Sequence, residues 1–228
     1  MNIAVVGPHP DDQELGMGGT IARLVQQGHR VTLLDLTNGE PTPYGSPEIR
    51  QQEATAAARV LGAERIGLGL PNRRLEATLA ARDLLAGAFR TLRPEIVFGP
   101  FHEDAHPDHV AAAQLVDDAR FTAKLTKSDL PGEPWHPQWV FQYFCVHLRA
   151  VPRPAFILDT TGASQLKSQA ILEYKSQFVT PPSNRHIPEW IAAADIYFGS
   201  RIGTQAGEPF ACREEIGMRD LGALTRLG

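Results

Sequence analysis

Short β-branched runs alternate with amphipathic stretches through the first half of the chain, and that alternation restricts the fold more than any other feature. Ile3 to Val6 reads as a strand ending at Gly7-Pro8, and Leu15 to Gln27, apolar at Leu15, Ile21, Leu24 and Val25, reads as a helix. The unit repeats: Val31 to Leu36 as a strand, Pro47 to Leu61 as an Ala-rich helix opened by proline, Ile66 to Leu70 as a strand, Leu75 to Leu92 as a helix. Ile96 to Phe98 then gives a fourth strand, closed by Gly99-Pro100. Buried strands separated by helices predict an α/β fold: a Rossmann-like, doubly wound, mostly parallel sheet covered on both faces. After Ala119 the pattern weakens into a Pro/Gly-rich loop (Pro131 to Pro137), strands at Val140 to Val146 and Phe156 to Leu158, and helices at Gln165 to Ser176 and Pro188 to Tyr197. With no repeat, low-complexity tract or linker, residues 1–228 are expected to form a single domain.

Charge and cysteine content narrow the partners. The 22 Lys and Arg against 26 Asp and Glu leave a net charge of −4, and no long basic run is present, which argues against nucleic acid or an anionic membrane surface. The first residues lack a basic segment, an apolar core and a cleavage site, and no apolar stretch approaches the roughly 20 residues of a membrane span. Two cysteines, Cys145 and Cys212, lack structural-zinc spacing and suit a reducing compartment, so a cytoplasmic location is expected.

In doubly wound sheets ligands bind at the carboxyl ends of the strands, where strand order reverses beside the first strand. Pro8-His9-Pro10-Asp11-Asp12-Gln13-Glu14-Leu15-Gly16 follows the first strand, and Phe101-His102-Glu103-Asp104-Ala105-His106-Pro107-Asp108-His109 follows the fourth. Four of the 8 histidines and six acidic residues fall in these segments. A dinucleotide site would need closely spaced glycines where Asp11 and Asp12 stand; carboxylates repel phosphate and attract a cation. Asp35 is accordingly read as a packing or loop-capping residue rather than a ribose ligand.

His9, Asp12 and His109 supply two imidazoles and a carboxylate, the donor set of a catalytic Zn2+ or another divalent metal that leaves a position open for water. Asp11, beside them, is placed to act as general base. Asp108, two residues from His106, is placed to hold that imidazole, which could stabilise an oxyanion or protonate a leaving amine. His102 to His106 also fits H-E-x-x-H, but Pro100 and Pro107 flank it and oppose the helix that motif requires, leaving His102 and Asp104 as loop residues or residues behind the ligands.

His-Pro-Asp-Asp-x-Glu-x-Gly at 9–16 and His-Pro-Asp-His at 106–109 resemble the LmbE-like or PIG-L zinc-dependent N-deacetylases. The resemblance extends to Thr37-Asn38-Gly39-Glu40, to Pro47 to Glu53 with Arg50, to Tyr174 to Phe178, and to Gly207-Glu208-Pro209-Phe210. It implies zinc ligands at His9, Asp12 and His109, a base at Asp11, an acid or electrostatic group at His106 with Asp108, and a substrate contact at Arg50. Gln13 stands where many relatives carry a small or acidic residue. Tyr197 reads as a core tyrosine.

The resemblance further implies removal of acetyl groups from an N-acetylglucosamine conjugate, with acetate and a free amine as products. The chain looks most like the N-acetylglucosaminyl-malate deacetylases of bacillithiol biosynthesis, and relatives imply a homo-oligomer, hexamers among them. Arg50, Arg149, Arg213 and Arg219 are candidates to meet a substrate carboxylate. Hydrolysis of another small amide or ester, and non-catalytic sugar or metal binding, are the alternatives; an adjacent base and an oriented histidine count against mere binding.

Overall fold

The computed structural model describes residues 1–147 and 151–218. Seven strands form one sheet in the order β3-β2-β1-β4-β5-β7-β6. β1 (Asn2–Gly7), β2 (Arg30–Thr37), β3 (Glu64–Leu70), β4 (Ile96–Pro100) and β5 (Trp139–Tyr143) run parallel. β7 (Gly207–Ala211) is antiparallel to both β5 and β6 (Phe156–Asp159). The expected doubly wound, mostly parallel sheet is therefore present, with an antiparallel margin.

Side-chain alternation along β1 splits the core in two. Ile3 and Val5 join Leu33 beneath α1 (Asp12–Gln26), α2 (Pro47–Leu61) and α5 (Ser164–Glu173), while Ala4 and Val6 join Leu34 and Leu36 beneath α3 (Leu79–Leu92) and α4 (Pro107–Ala123). Both faces are covered, so the central strands read as continuous apolar runs. Among the described residues no helix is long and apolar enough to cross a membrane.

Several boundaries differ from the sequence reading for local reasons. α2 matches it: the Ser46 hydroxyl accepts from the Ile49 amide, Pro47 opens the helix and Gly62 ends it at φ 72°. α3 starts at Leu79 rather than Leu75, because Thr78 caps it and the Leu75 amide is drawn to Asp108. β5 ends at Tyr143 rather than Val146, and Tyr174 separates α5 from the short α6 (Lys175–Phe178). α4 and β7 are absent from the sequence reading. α4 is Ala-rich and carries its polar motif in its first turn, and β7 is a five-residue strand containing Gly and Pro, so neither presents a strong period.

Glu208 explains how the antiparallel margin joins the rest. The helical path of α1 breaks at Met17, and the amides of Gly19 and Thr20, exposed by the break, donate to the Glu208 carboxylate at 3.0 and 2.6 Å. Lys167 of α5 donates to Glu208 at 2.6 Å and to Asp195 of α7 (Ile187–Ser200) at 2.9 Å. Burial pulls the lysine pKa down, but the two carboxylates outweigh it and the net shift is upward. Replacing Glu208 by Leu strands two helix amides and leaves the buried Lys167 ammonium with Asp195 as its remaining carboxylate partner. Such a break costs roughly 3–5 kcal/mol, and a drop of about 10 °C in Tm by differential scanning calorimetry is expected.

Candidate metal centre and active-site cleft

The β1–α1 and β4–α4 turns leave adjacent parallel strands at the same edge of the sheet, which brings their histidines and carboxylates together. His9, Asp12 and His109 have potential ligand atoms within 4.8 Å of one another. Asp12 lies between the imidazoles, with Oδ2 at 3.1 Å from His9 Nδ1 and Oδ1 at 3.4 Å from His109 Nε2. The opposite nitrogens face further carboxylates: His9 Nε2 is 3.1 Å from Asp108 Oδ2, and His109 Nδ1 is 3.0 Å from Asp104 Oδ2. Each imidazole is thus held from behind by one carboxylate while its other nitrogen faces Asp12, the arrangement that orients metal-binding histidines.

Two observations test whether a divalent cation fits. His109 is fully buried, and despite the nearby oxygens neither ring nitrogen makes an aligned hydrogen bond. Burial alone would lower the His109 pKa, yet the charge of Asp12 and the contact with Asp104 drive it well above its ordinary value. The same contacts hold Asp12 well below the usual carboxylate range against the opposing effect of burial. Positive charge is therefore favoured at the place where the three donors converge. The N2O donor set fits zinc.

Asp11 sits beside this cluster without belonging to it. Its backbone is held at φ 109°, a region rarely adopted by residues with a Cβ, and its side chain does not cap α1. Instead Asp11 Oδ2 accepts from Arg50 Nη2 at 2.8 Å. Burial raises the Asp11 pKa, Arg50 pulls it back and Asp12 pushes it up, for a net value of about 7. Arg50 is 3% exposed, donates to the Pro10 carbonyl at 2.6 Å and lies over the Tyr174 ring at 5.5 Å. Its Nε and Nη1 are buried and find no hydrogen-bond partner among the described residues.

His106 and Asp108 are joined differently from the sequence reading. The backbone amide of Asp108, not its carboxylate, donates to His106 Nδ1 at 3.2 Å, making His106 the N-cap of α4. An accepting Nδ1 places the proton of a neutral ring on Nε2. Burial and the neighbouring His9 and His109 lower the His106 pKa, so the neutral donor is the favoured form. The Asp108 carboxylate serves His9 and also accepts from the amides of Arg73 and Leu75 at 2.8 and 3.2 Å.

A cleft of about 280 Å3 opens over these groups, lined by His9, Asp11, Asp12, Arg50 and His106. Arg73, Asn72 and His147 also line it, and none of the three stands out in the sequence. Arg73 lies in the segment drawn in by Asp108, and His147 follows the carboxyl end of β5, the edge where site residues gather. Of the arginine candidates, Arg50 lines the cleft, Arg213 pairs with Asp117, and Arg149 and Arg219 lie outside the described residues. Gln13 turns away to Asp35 and Arg65, making Asp35 part of a buried ion pair. Tyr197 is 59% exposed on α7 and is not a core residue. Residues 102–106 are not helical, in keeping with the flanking prolines.

The fold and site define a doubly wound α/β protein with a candidate metal centre at the β1/β4 edge. The chain belongs to the PIG-L family, described as GlcNAc-PI de-N-acetylase, which it matches over residues 4–120. A solved structure of a conserved protein from Thermus thermophilus is 38% identical, with a TM-score of 0.88 and coverage of 96% of this chain and 97% of that one. The diacetylchitobiose deacetylase of Thermococcus kodakarensis is 28% identical across 90% of this chain and 80% of its own length. A 1D-myo-inositol 2-acetamido-2-deoxy-α-D-glucopyranoside deacetylase of Tsukamurella paurometabola is 29% identical across 58% of this chain and 59% of its own.

His109→Ala is expected to abolish stoichiometric zinc binding in equilibrium dialysis. Asp104→Asn, which removes the charge behind His109, is expected to weaken zinc about 10- to 100-fold.

Proposed function

We propose that the protein is a zinc-dependent hydrolase that removes the acetyl group from an N-acetylglucosamine conjugate, with N-acetylglucosaminyl-malate as the preferred substrate. The observation that carries this reading is one juxtaposition. A buried carboxylate with a pKa near neutrality, a histidine with its donor nitrogen fixed and two of the three metal donors, His9 and Asp12, line the same cleft, with the third, His109, buried beside them. The deacetylase activities named for the relatives support it. The two cysteines are free, which suits the proposed cytoplasmic setting.

A zinc ion held by His9, Asp12 and His109 would supply Lewis acidity that makes water acidic near neutral pH and polarises an amide carbonyl. Asp11 takes the proton from the attacking water, and its Arg50 partner keeps the carboxylate turned toward the cleft. His106 offers Nε2–H to the negative charge that develops on the carbonyl oxygen. Asp11 or His106 returns a proton to the departing nitrogen, giving acetate and the free amine. Asp108 acts through His9 by fixing its orientation.

Arg73 supports an anionic aglycone. It lines the cleft with Asn72 and Thr42, and its guanidinium donates to the Pro41 carbonyl. A carboxylate of malate would find a cation there.

Acetate release by the zinc-loaded protein tests the reading, with N-acetylglucosaminyl-malate, free N-acetylglucosamine and an N-acetylglucosaminyl-inositol compared. The malate conjugate is expected to be fastest, and equal rates for all three would overturn the aglycone assignment. Asp11→Asn is expected to lose about 10²- to 10⁴-fold in kcat while retaining zinc; an active variant would remove Asp11 from the role of base. Arg73→Ala is expected to raise KM about tenfold for the malate conjugate and to leave the kinetics of free N-acetylglucosamine within about twofold. A parallel loss with both substrates would exclude a carboxylate-specific contact.

A further inference from the structure

Past Leu15 and His147 the cleft adjoins a second, larger hollow of about 410 Å3. The loop after β5 supplies Phe144 and Val146, and α7 supplies Ile187, Trp190, Ile191 and Ala194. Leu15, Val146, His147, Asn184 and Ile187 belong to both walls, so cleft and hollow adjoin. The two parts differ in chemistry. Thr42, Arg50, Asn72 and Arg73 line only the cleft, whereas most of the additional wall of the hollow is aliphatic or aromatic.

α7 is fixed where it forms this wall. Gly199 packs so closely on β7 that a Cβ there would lie 2.6 Å from the Ala206 backbone. Lys167 clamps Asp195 from below. Trp190 is nevertheless 67% exposed, and its ring lies 4.0 Å from that of His186. A large indole left in solvent beside a preformed apolar hollow marks a binding surface.

An amide bond constrains how such a space is filled. The two substituents of the scissile amide leave it in opposite directions, so a group bound on one side of the metal centre is the amine part and the group on the other is the acyl part. Arg50, Asn72 and Thr42 suit the hydroxyls of a sugar, and the adjoining apolar hollow, which none of them lines, is left for the acyl group. Leu15, one helical turn beyond Asp12, begins that hollow.

We propose that the hollow beneath α7 is an acyl-chain subsite, through which the enzyme also binds and hydrolyses N-acylglucosamines with unbranched chains longer than acetyl. The inference rests on the deacylation reading above and adds the substrate's apolar half. Chain binding uses the burial of methylenes, so affinity rises roughly threefold to fourfold per added carbon until the hollow is full.

Binding and turnover are measured separately, so that failure of either reading is distinguishable. Isothermal titration of the metal-stripped full chain compares N-acetyl-, N-butanoyl- and N-octanoylglucosamine with the octyl glycoside of N-acetylglucosamine, all below micellar concentrations. Affinity is expected to rise from acetyl to octanoyl, and the gain is expected to fall at least about tenfold in Ala194→Trp, which fills the hollow from its exposed side. With zinc restored, N-octanoylglucosamine is expected to be turned over, and the octanoyl-to-acetyl ratio of kcat/KM is expected to fall in the same variant. Affinity independent of acyl length would overturn the proposal, as would preference for the octyl glycoside over the N-octanoyl compound. If the unaltered protein sediments as an oligomer and Ala194→Trp dissociates it without changing chain preference, the hollow is a contact between copies and the proposal fails. Length-dependent binding with no turnover of any compound would uphold the subsite and refute the deacylase reading.

Discussion

The Asp108 carboxylate ties together three segments that are far apart in sequence. From the first turn of α4 it reaches His9 after β1, and it accepts the amides of Arg73 and Leu75 in the approach to α3. The first contact turns His9 so that Nδ1 faces Asp12; the other two pull Asn72 and Arg73 over the cleft. Burial alone would raise the Asp108 pKa, but these donors hold it below the usual carboxylate range. A side chain positioned by two amides and one imidazole has little freedom, and the imidazole inherits that rigidity. The arrangement of the candidate metal donors and the shape of the cleft are consequently set by the same anion.

Charge is buried elsewhere in the sheet for similar ends. Arg65 of β3 meets Glu14 of α1 and Asp35 of β2 at 2.6 and 2.7 Å, with Tyr174 donating to Glu14 at 3.1 Å. Burial opposes the charge of Arg65, and the attraction of Asp35 and Glu14 outweighs it. Glu14 is two residues from Asp12, so this cluster anchors the helix whose first residue is a candidate ligand. Tyr174 also lies against Arg50, the partner of Asp11. Buried ion pairs are weak contributors to net stability but costly to break. Placed here, what they maintain is the geometry at the head of α1.

How much of this is legible in the sequence depends on what kind of signal each part leaves. The β1 to β4 alternation is readable because parallel strands covered on both faces become apolar runs, and the two His/Asp turns are readable because their chemistry is too concentrated for a loop. α4 escapes as an element since its most conspicuous residues, His106 to His109, speak of chemistry rather than period. Asp108 pairs with a different histidine from the one the sequence points to, for a geometric reason. Proximity along the chain favours His106, but at a helix N-terminus the residue's amide, rather than its carboxylate, turns back toward the N-cap. His147 and Arg73 have no local motif; they enter the cleft through sheet order and through the hydrogen bonds of Asp108.

Asp11 and His106 line the same cleft and hold their protons differently. Both are near a strongly acidic Asp12 and an imidazole pair, yet their fixed hydrogen bonds differ. Asp11 is gripped by a cation that limits how far burial can raise its pKa, leaving a carboxylate able to exchange a proton near neutrality. His106 gives its Nδ1 lone pair to a helix amide and is surrounded by other imidazoles, so it remains a neutral donor through Nε2. The backbone strain at Asp11 therefore has a functional counterpart: relaxed toward an ordinary N-cap, the carboxylate would bind the helix amides and be withdrawn from the cleft.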